Sequence, residues 1–310
     1  MSYCCGKVGG RSGRLRQCVG MSVVPLIVAQ HGGSATRAEL LETTTQATLD
    51  AALTAGLVAR HRRGVYGLPP HGVPARAAQL GAHLSHRSAA LHHGWGVLHA
   101  PDLPELVAPR SRRIPVPDDV ALRLRTLAEG DVGLRATKPL RTVIDCARDL
   151  PLAEGLAVAD SALRSGAVTA EELAAAVLPR TGRTAARRVL DLASAEAASP
   201  FESGLRAAAI EAADRHWVPQ VPVRLRDGRV LHADVGNPDT RIALEADSLE
   251  LHRTREDVRR DSWRHDEMTL AGWVVLHFAW EHVMFNPDWV RKVIGWVTRQ
   301  RVSHCSSLIA

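Results

Sequence analysis

Residues 231–252, LHADVGNPDTRIALEADSLELH, read as two short apolar strands about a turn at Asn237, Pro238 and Asp239. Acids and an imidazole interrupt them: Asp234 in the first run, Glu245 and Asp247 in the second, His252 just beyond. Alternation along a strand puts Ile242, Leu244 and Ala246 on one face and Ala243, Glu245 and Asp247 on the other. Folding back across the turn sets Asp234 against Glu245, where facing Cβ atoms lie about 5 Å apart. Carboxylates packed so closely repel, and a fold ordinarily separates them or gives each a base. A divalent cation also removes the conflict. Mg²⁺ or Mn²⁺ takes one or two protein carboxylates and fills its shell with water and phosphate oxygens, the equipment of phosphodiester hydrolysis. His252, a turn past the strand, can serve as general acid or base or touch a phosphate. Asp247 could equally open a turn and His252 face solvent at a helix start, but Asp234 and Glu245 lack so cheap a structural excuse.

The surrounding residues supply a frame. SPFESGLRAAAIEAA is a helix with Ser199 as N-cap and Pro200 at its first position. VPVRLRD and RVLHADVG are strands joined at Asp227 and Gly228. TREDVRRDSWRHDEMTLAG is a polar helix closing on Gly272, WVVLHFAW a buried strand, and PDWVRKVIGWVTRQR a terminal helix. Helix with Glu202, strand with Asp234, strand with Glu245 and Asp247, then His252, a helix with Arg260, Asp261 and Arg264, and the GWVVLHFAWEHVMFNPDWV run together resemble the very-short-patch-repair-like branch of the PD-(D/E)XK, restriction-endonuclease-like nucleases. The resemblance spans roughly residues 199–300. It implies Asp234 and Glu245 as metal ligands, Asp247 and His252 as further active-site residues, and Glu202 as an accessory acid. Two departures stand out: Asp247 replaces the superfamily's lysine, and Ser248 stands where the branch usually has glycine. Glu202, three residues after Ser199, also completes a capping box, and that alone could account for it.

Towards the N-terminus, VVPLIVAQHG, TRAELLE (N-cap Thr36) and TQATLDAALTAG read as three helices, and LVARHRRGVYGLP as a hairpin. Three helices and a basic hairpin describe a winged helix-turn-helix, whose third helix would enter the major groove. That helix offers Gln46 and Thr48 but no Lys or Arg, whereas Arg60, Arg62 and Arg63 sit in the wing. Wing contacts to phosphate or minor groove would then supply most of the affinity for double-stranded DNA. The alternative is a protein-binding winged helix with a solvated arginine turn.

Residues 76–198 read as an α+β connecting region. RAAQLGAHLSHRSAALHHGW is expected to be helical, and its His86 and His93, seven apart, could share a face. Half-buried histidines explain this set better than a metal site, since no Cys or carboxylate joins them at ligand spacing. ELVAPR, VALRLR and VGLRAT read as strands; PLRTVIDCARDL, LAEGLAVADSALRSG and TAEELAAAVL read as amphipathic helices. AELLETTTQATLDAALTAGLVARHRRGVYGLP, SHRSAALHHGWGVL and KPLRTVIDCARDLPLAEGLAVADSALRSGAVTAEEL resemble the AbiEi-type antitoxins of type IV toxin-antitoxin systems, in the actinobacterial form that often carries a nuclease-like tail. That resemblance implies winged-helix binding of the protein's own promoter and a nucleotidyltransferase-like toxin as partner.

The expected fold class is therefore α/β multidomain, α+β overall: a disordered or mis-assigned extension over 1–20, with Met21 a plausible start, a winged helix-turn-helix domain over 21–75, the α+β region over 76–198, a mixed sheet flanked by helices over 199–300, and a tail over 301–310. Eight basic and three acidic residues give residues 1–75 a charge of +5 out of a total of +6, so a polyanion would meet that end first. The five cysteines, odd in number and without a C-x-x-C pair, fit neither a disulfide framework nor a structural zinc site. A reducing cytoplasm fits best. No apolar run is long enough to span a membrane, so no membrane partner is expected.

Overall fold

The computed structural model describes residues 24, 27–28, 34–54, 58–62, 64–67, 73–112, 114, 118–247 and 255–307. The chain forms two compact units, residues 1–82 and 83–310, and its described residues bear out the α+β, multidomain reading.

In the first unit, β1 (Ser34–Thr36), α1 (Arg37–Thr43), α2 (Gln46–Thr54), β2 (Ala59–Arg62) and β3 (Val65–Gly67) precede α3 (Val73–Leu80). The strands form an antiparallel sheet of order β1-β3-β2. Thr36 caps α1 as its sequence position predicts: its hydroxyl accepts from the Glu39 amide, and the Glu39 carboxylate accepts from the Thr36 amide at 2.6 Å. Val24, Ile27, Val28, Leu40, Leu49 and Tyr66 close the core.

The second unit opens with a small mixed sheet. Its strands β4 (His83–Leu84), β5 (Glu105–Pro109) and β6 (Ala121–Arg125) lie in sequence order, β4 antiparallel and β6 parallel to β5. Helices α4 (His86–His92), α5 (Pro139–Asp149), α6 (Leu152–Arg164), α7 (Ala170–Ala175) and α8 (Arg183–Leu192) accompany it, packed about Val143, Cys146, Val158 and Val189. Two expectations fail in this region. Residues 76–95 are not one helix, because the chain turns at Gly81 (φ +57°) and pairs His83–Leu84 with β5 before α4 begins. VGLRAT is not a strand; it contributes isolated bridges, Val132 to Thr137 and Leu84 to Ala136. His86, fully buried at φ +49°, bonds Ser85 Oγ and Asp149 Oδ2, while His93 faces the Thr137 carbonyl; the two do not converge.

Asp149 gathers the charges of this sheet. Arg125 and Arg148 each reach it at 2.9 Å, and His86 at 3.0 Å. Burial would raise its pKa, but hydrogen bonds from His86, Arg148 and Arg125 outweigh that and hold the carboxyl well below the usual carboxylate range.

A second mixed sheet, of order β10-β9-β8-β7, carries the acids: β7 (Val218–Arg224), β8 (Val230–Asn237), β9 (Ile242–Asp247) and β10 (Val274–Ala279). Helix α9 (Pro200–Ala212) precedes it, α10 (Arg255–Leu270) crosses over between β9 and the parallel β10, and α11 (Trp280–Phe285) and α12 (Pro287–Ser307) follow. WVVLHFAW is thus an edge strand, half-buried apart from buried Phe278 and exposed His277. The expected tail beyond residue 300 continues α12 to Ser307. Buried Asp160 of α6 ties this sheet's helices to the preceding ones by accepting from Ser203 Oγ of α9 at 2.7 Å and from the Ser194 amide at 2.8 Å. Gly236 lets β7 approach β8, since a Cβ there would lie 2.1 Å from Val221 Cγ1.

Candidate functional site

The β8–β9 turn is built by Asn237, whose Oδ1 accepts from the Thr240 amide and hydroxyl, both at 2.8 Å, while Arg241 takes φ +50°. The ladder pairs Asn237 with Ile242, Gly236 with Ala243 and Val235 with Leu244. One step further, Asp234 comes opposite Glu245, but there the main-chain ladder gives way: the Asp234 carboxylate accepts from the Ala246 amide at 2.8 Å. Ile242, Leu244 and Ala246 pack into one core and Ala243 into another, so the alternation read from the sequence holds.

Glu245 is the most perturbed acid here. Its Oε1 is buried without a hydrogen-bond partner, and the nearest cation, Arg264 Nη2 of α10, stands 3.6 Å away, too far for a hydrogen bond. Burial and the neighbouring charge of Asp234 push its carboxyl up to about 8, with Arg264 pulling the other way. Burial also raises Asp234, against the Ala246 hydrogen bond.

Glu202, from the first turn of α9, completes only half of the expected capping box, because its carboxylate takes the Ala198 amide, one residue before the N-cap. Ser199 Oγ accepts from its amide, and its own Oε2 accepts from the Ala198 amide at 2.9 Å and Gln220 Nε2 at 3.0 Å. Burial raises its pKa, and the charge of Asp234 adds to the effect. Gln220, at φ +48° on β7, also lies near enough to Asp234 to favour its ionised form, against the effect of burial. The sequence hints at it only as a polar residue among apolar ones, between Pro219 and Pro222.

Asp247, at the end of β9, lies 3.3 Å from His277 Nδ1, and His277 Nε2 lies 3.1 Å from His265 Nδ1. His277 is the register partner of Glu245 on β10. These imidazoles occupy the neighbourhood the sequence reading reserved for His252, which, with Ser248, lies outside the described residues. Arg264 also donates to the His232 carbonyl at 2.9 Å, tying α10 to β8.

The acids therefore meet in pairs through intermediaries and do not form one tight knot. Among the described residues, no group of three or more His, Cys, Asp or Glu side chains is placed to hold a metal ion. Two facing carboxylates, one with an orphaned buried oxygen, still fit a hydrated Mg²⁺ or Mn²⁺, which needs only one or two protein carboxylates.

In the first unit, Gln46 accepts from Arg37 Nη2 at 2.6 Å and donates to Asp50 at 2.7 Å, and Thr48 bonds Thr45 at 2.8 Å. Both candidate base readers are committed locally. Arg60 and Arg62 lie on β2, and Arg63 lies outside the described residues. No helix among the described residues is long and apolar enough to cross a membrane.

No protein-family profile matches the chain. Uncharacterized protein Rv2248 of Mycobacterium tuberculosis strain H37Rv is 29% identical over 260 residues, covering 78% of this chain and 93% of that protein. Uncharacterized protein MT2308 of strain CDC 1551 / Oshkosh aligns with the same identity and coverage. The crystal structure of the RV2827C protein of Mycobacterium tuberculosis superposes with a TM-score of 0.33 at 19% identity, over 66% of this chain and 84% of that one.

Proposed function

We propose that the chain is a DNA-binding protein whose C-terminal sheet carries a divalent-cation-dependent phosphodiesterase site, an endonuclease acting on double-stranded DNA. The observation that carries this reading is Glu245: a half-buried carboxylate whose Oε1 has no hydrogen bond and only Arg264 at 3.6 Å, set against Asp234 and raised to about 8. Folds seldom tolerate such a pair unless something positively charged completes it.

Asp234 and Glu245 would hold Mg²⁺ or Mn²⁺, which when bound activates water and neutralises charge on a scissile phosphate. Gln220, held by Glu202, would help to position Asp234. Arg264 supplies the positive charge that the superfamily's missing lysine would otherwise give. Asp247, His277 and His265 form a chain along which a proton can pass between the site and solvent, with His252 an additional candidate. In the first unit, helices over a three-stranded sheet with a basic β2–β3 hairpin support the winged-helix reading. Gln46, tied to Arg37 and Asp50, would have to break those bonds to read a base, which favours phosphate contacts by Arg60, Arg62 and Arg63.

The test is nicking of supercoiled plasmid with Mg²⁺ or Mn²⁺; activity that survives Asp234→Ala rejects the site. One observation favours a second reading, an antitoxin-like regulator of its own promoter with a nucleotidyltransferase-like toxin as partner: no three-ligand metal group occurs among the described residues. Promoter binding lost in Arg60→Gln/Arg62→Gln, with no cleavage under either metal, would select it.

A further inference from the structure

A concavity lies in the second unit, among α5, α7, the end of β6 and the residues that follow α7. It is an open cleft of about 1030 Å³, room for a small organic ligand. Its charges are unequal. Three acids line it, each beside a base or an amide: Asp131 with Arg141 at 2.6 Å, Asp145 with Arg141 at 2.8 Å, its Oδ1 3.2 Å from Arg148 without a hydrogen bond, and Glu172 with the Thr169 amide at 2.8 Å. Arg110, Lys138 and Arg180 also line it and pair with no carboxylate among the described residues. Arg125, on the same wall, has a buried Nε without a hydrogen-bond partner.

The start of α5 adds to this field. Lys138 is its N-cap and Pro139 its first residue, no side chain caps it, and Lys138, Pro139, Leu140 and Arg141 all line the space. The positive end of an eleven-residue helix therefore points where the spare cations gather. The rest of the wall is aliphatic, with Leu140, Ile144, Val168 and Leu178, and among the described residues no aromatic ring lines it. A neutral or cationic occupant would leave the positive surplus uncompensated, and a nucleobase would find nothing to stack upon.

We infer that this cavity binds a small organic phosphate with an aliphatic body, its head held by Arg110, Lys138, Arg180 and the α5 N-terminus, its body against Ile144, Val168 and Leu178. The site is separate from the acids of the C-terminal sheet, so its occupancy does not depend on whether those acids cleave DNA.

Titration calorimetry of the full chain with hexyl phosphate tests it, with inorganic phosphate and hexanol as comparisons. Saturable hexyl phosphate binding at least about tenfold tighter than that of either comparison is expected, since each lacks one half of the recognition. Arg110→Gln/Arg180→Gln, both exposed and free of ion pairs, should weaken it by about tenfold or more, and affinity should fall as salt rises. Val177→Asp, at a position 91% exposed on the rim, should weaken it without touching the core. Absent saturable binding, equal affinity for inorganic phosphate, or an unchanged affinity in the double variant would each overturn the assignment.

Discussion

Two half-buried acids of the second unit, one at the end of helix α5 and one on strand β9, are treated in opposite ways. Asp149, beside β6, receives two arginines and a histidine within 3.0 Å and is held ionised. Glu245, on β9, has one arginine at 3.6 Å, an unpartnered oxygen and a carboxylate neighbour, and is pushed towards the neutral form. Both side chains are largely but not fully covered, so exposure is not what separates them. The first arrangement completes itself; the second is complete only with a proton or an added cation. An acid that serves the fold is given its bases, and one that is not is the better candidate for chemistry.

The contrast predicts unequal costs. Asp149→Ala takes the carboxylate from Arg125 and His86, leaves Arg148 only Asp145, and should lower stability by about 3–5 kcal/mol, read from urea melts. Asp234→Ala should leave stability nearly unchanged or raise it; equal losses at the two positions would erase the distinction. Next in size is the effect of metal. At pH 8, Mg²⁺ at a hundred times its dissociation constant should stabilise the wild type by about 2.7 kcal/mol and Asp234→Ala not at all. The pH dependence of Glu245 should be comparable. A carboxyl raised in the folded state favours folding below its ordinary value near 4.5, and that contribution is lost as pH rises through about 8. Glu245→Gln removes the loss, so it should match the wild type at pH 4 and exceed it at pH 8 by about 2 kcal/mol or more. Arg264→Gln is the finest probe: with the opposing charge gone, the Glu245 titration followed by carboxyl NMR should move upward.

How much of this was legible beforehand follows from sequence distance. Asn237 and the alternation over 242–247 specify a hairpin locally, so the facing of Asp234 and Glu245 could be read from one short stretch. Caps at Thr36 and Ser199 were legible for the same reason. Gln220 and His277 were not, because β7 and β10 reach the acids through pairing with distant residues. Arg264 entered only through the family resemblance. WVVLHFAW read as buried because apolar content does not distinguish an edge strand from a central one. The break at Gly81 escaped notice because small residues on either side sustain a helical pattern that pairing with β5 overrides.

The route between β9 and β10 also sets an order of events in time. The β8–β9 hairpin can close within microseconds, whereas Arg264 and His277 arrive only after α10 has crossed over to make a parallel pair. For that interval the refolding chain holds two like charges together with no counter-ion of its own. Refolding should therefore run faster in mild acid, or with Mg²⁺ present, than in alkaline, metal-free buffer.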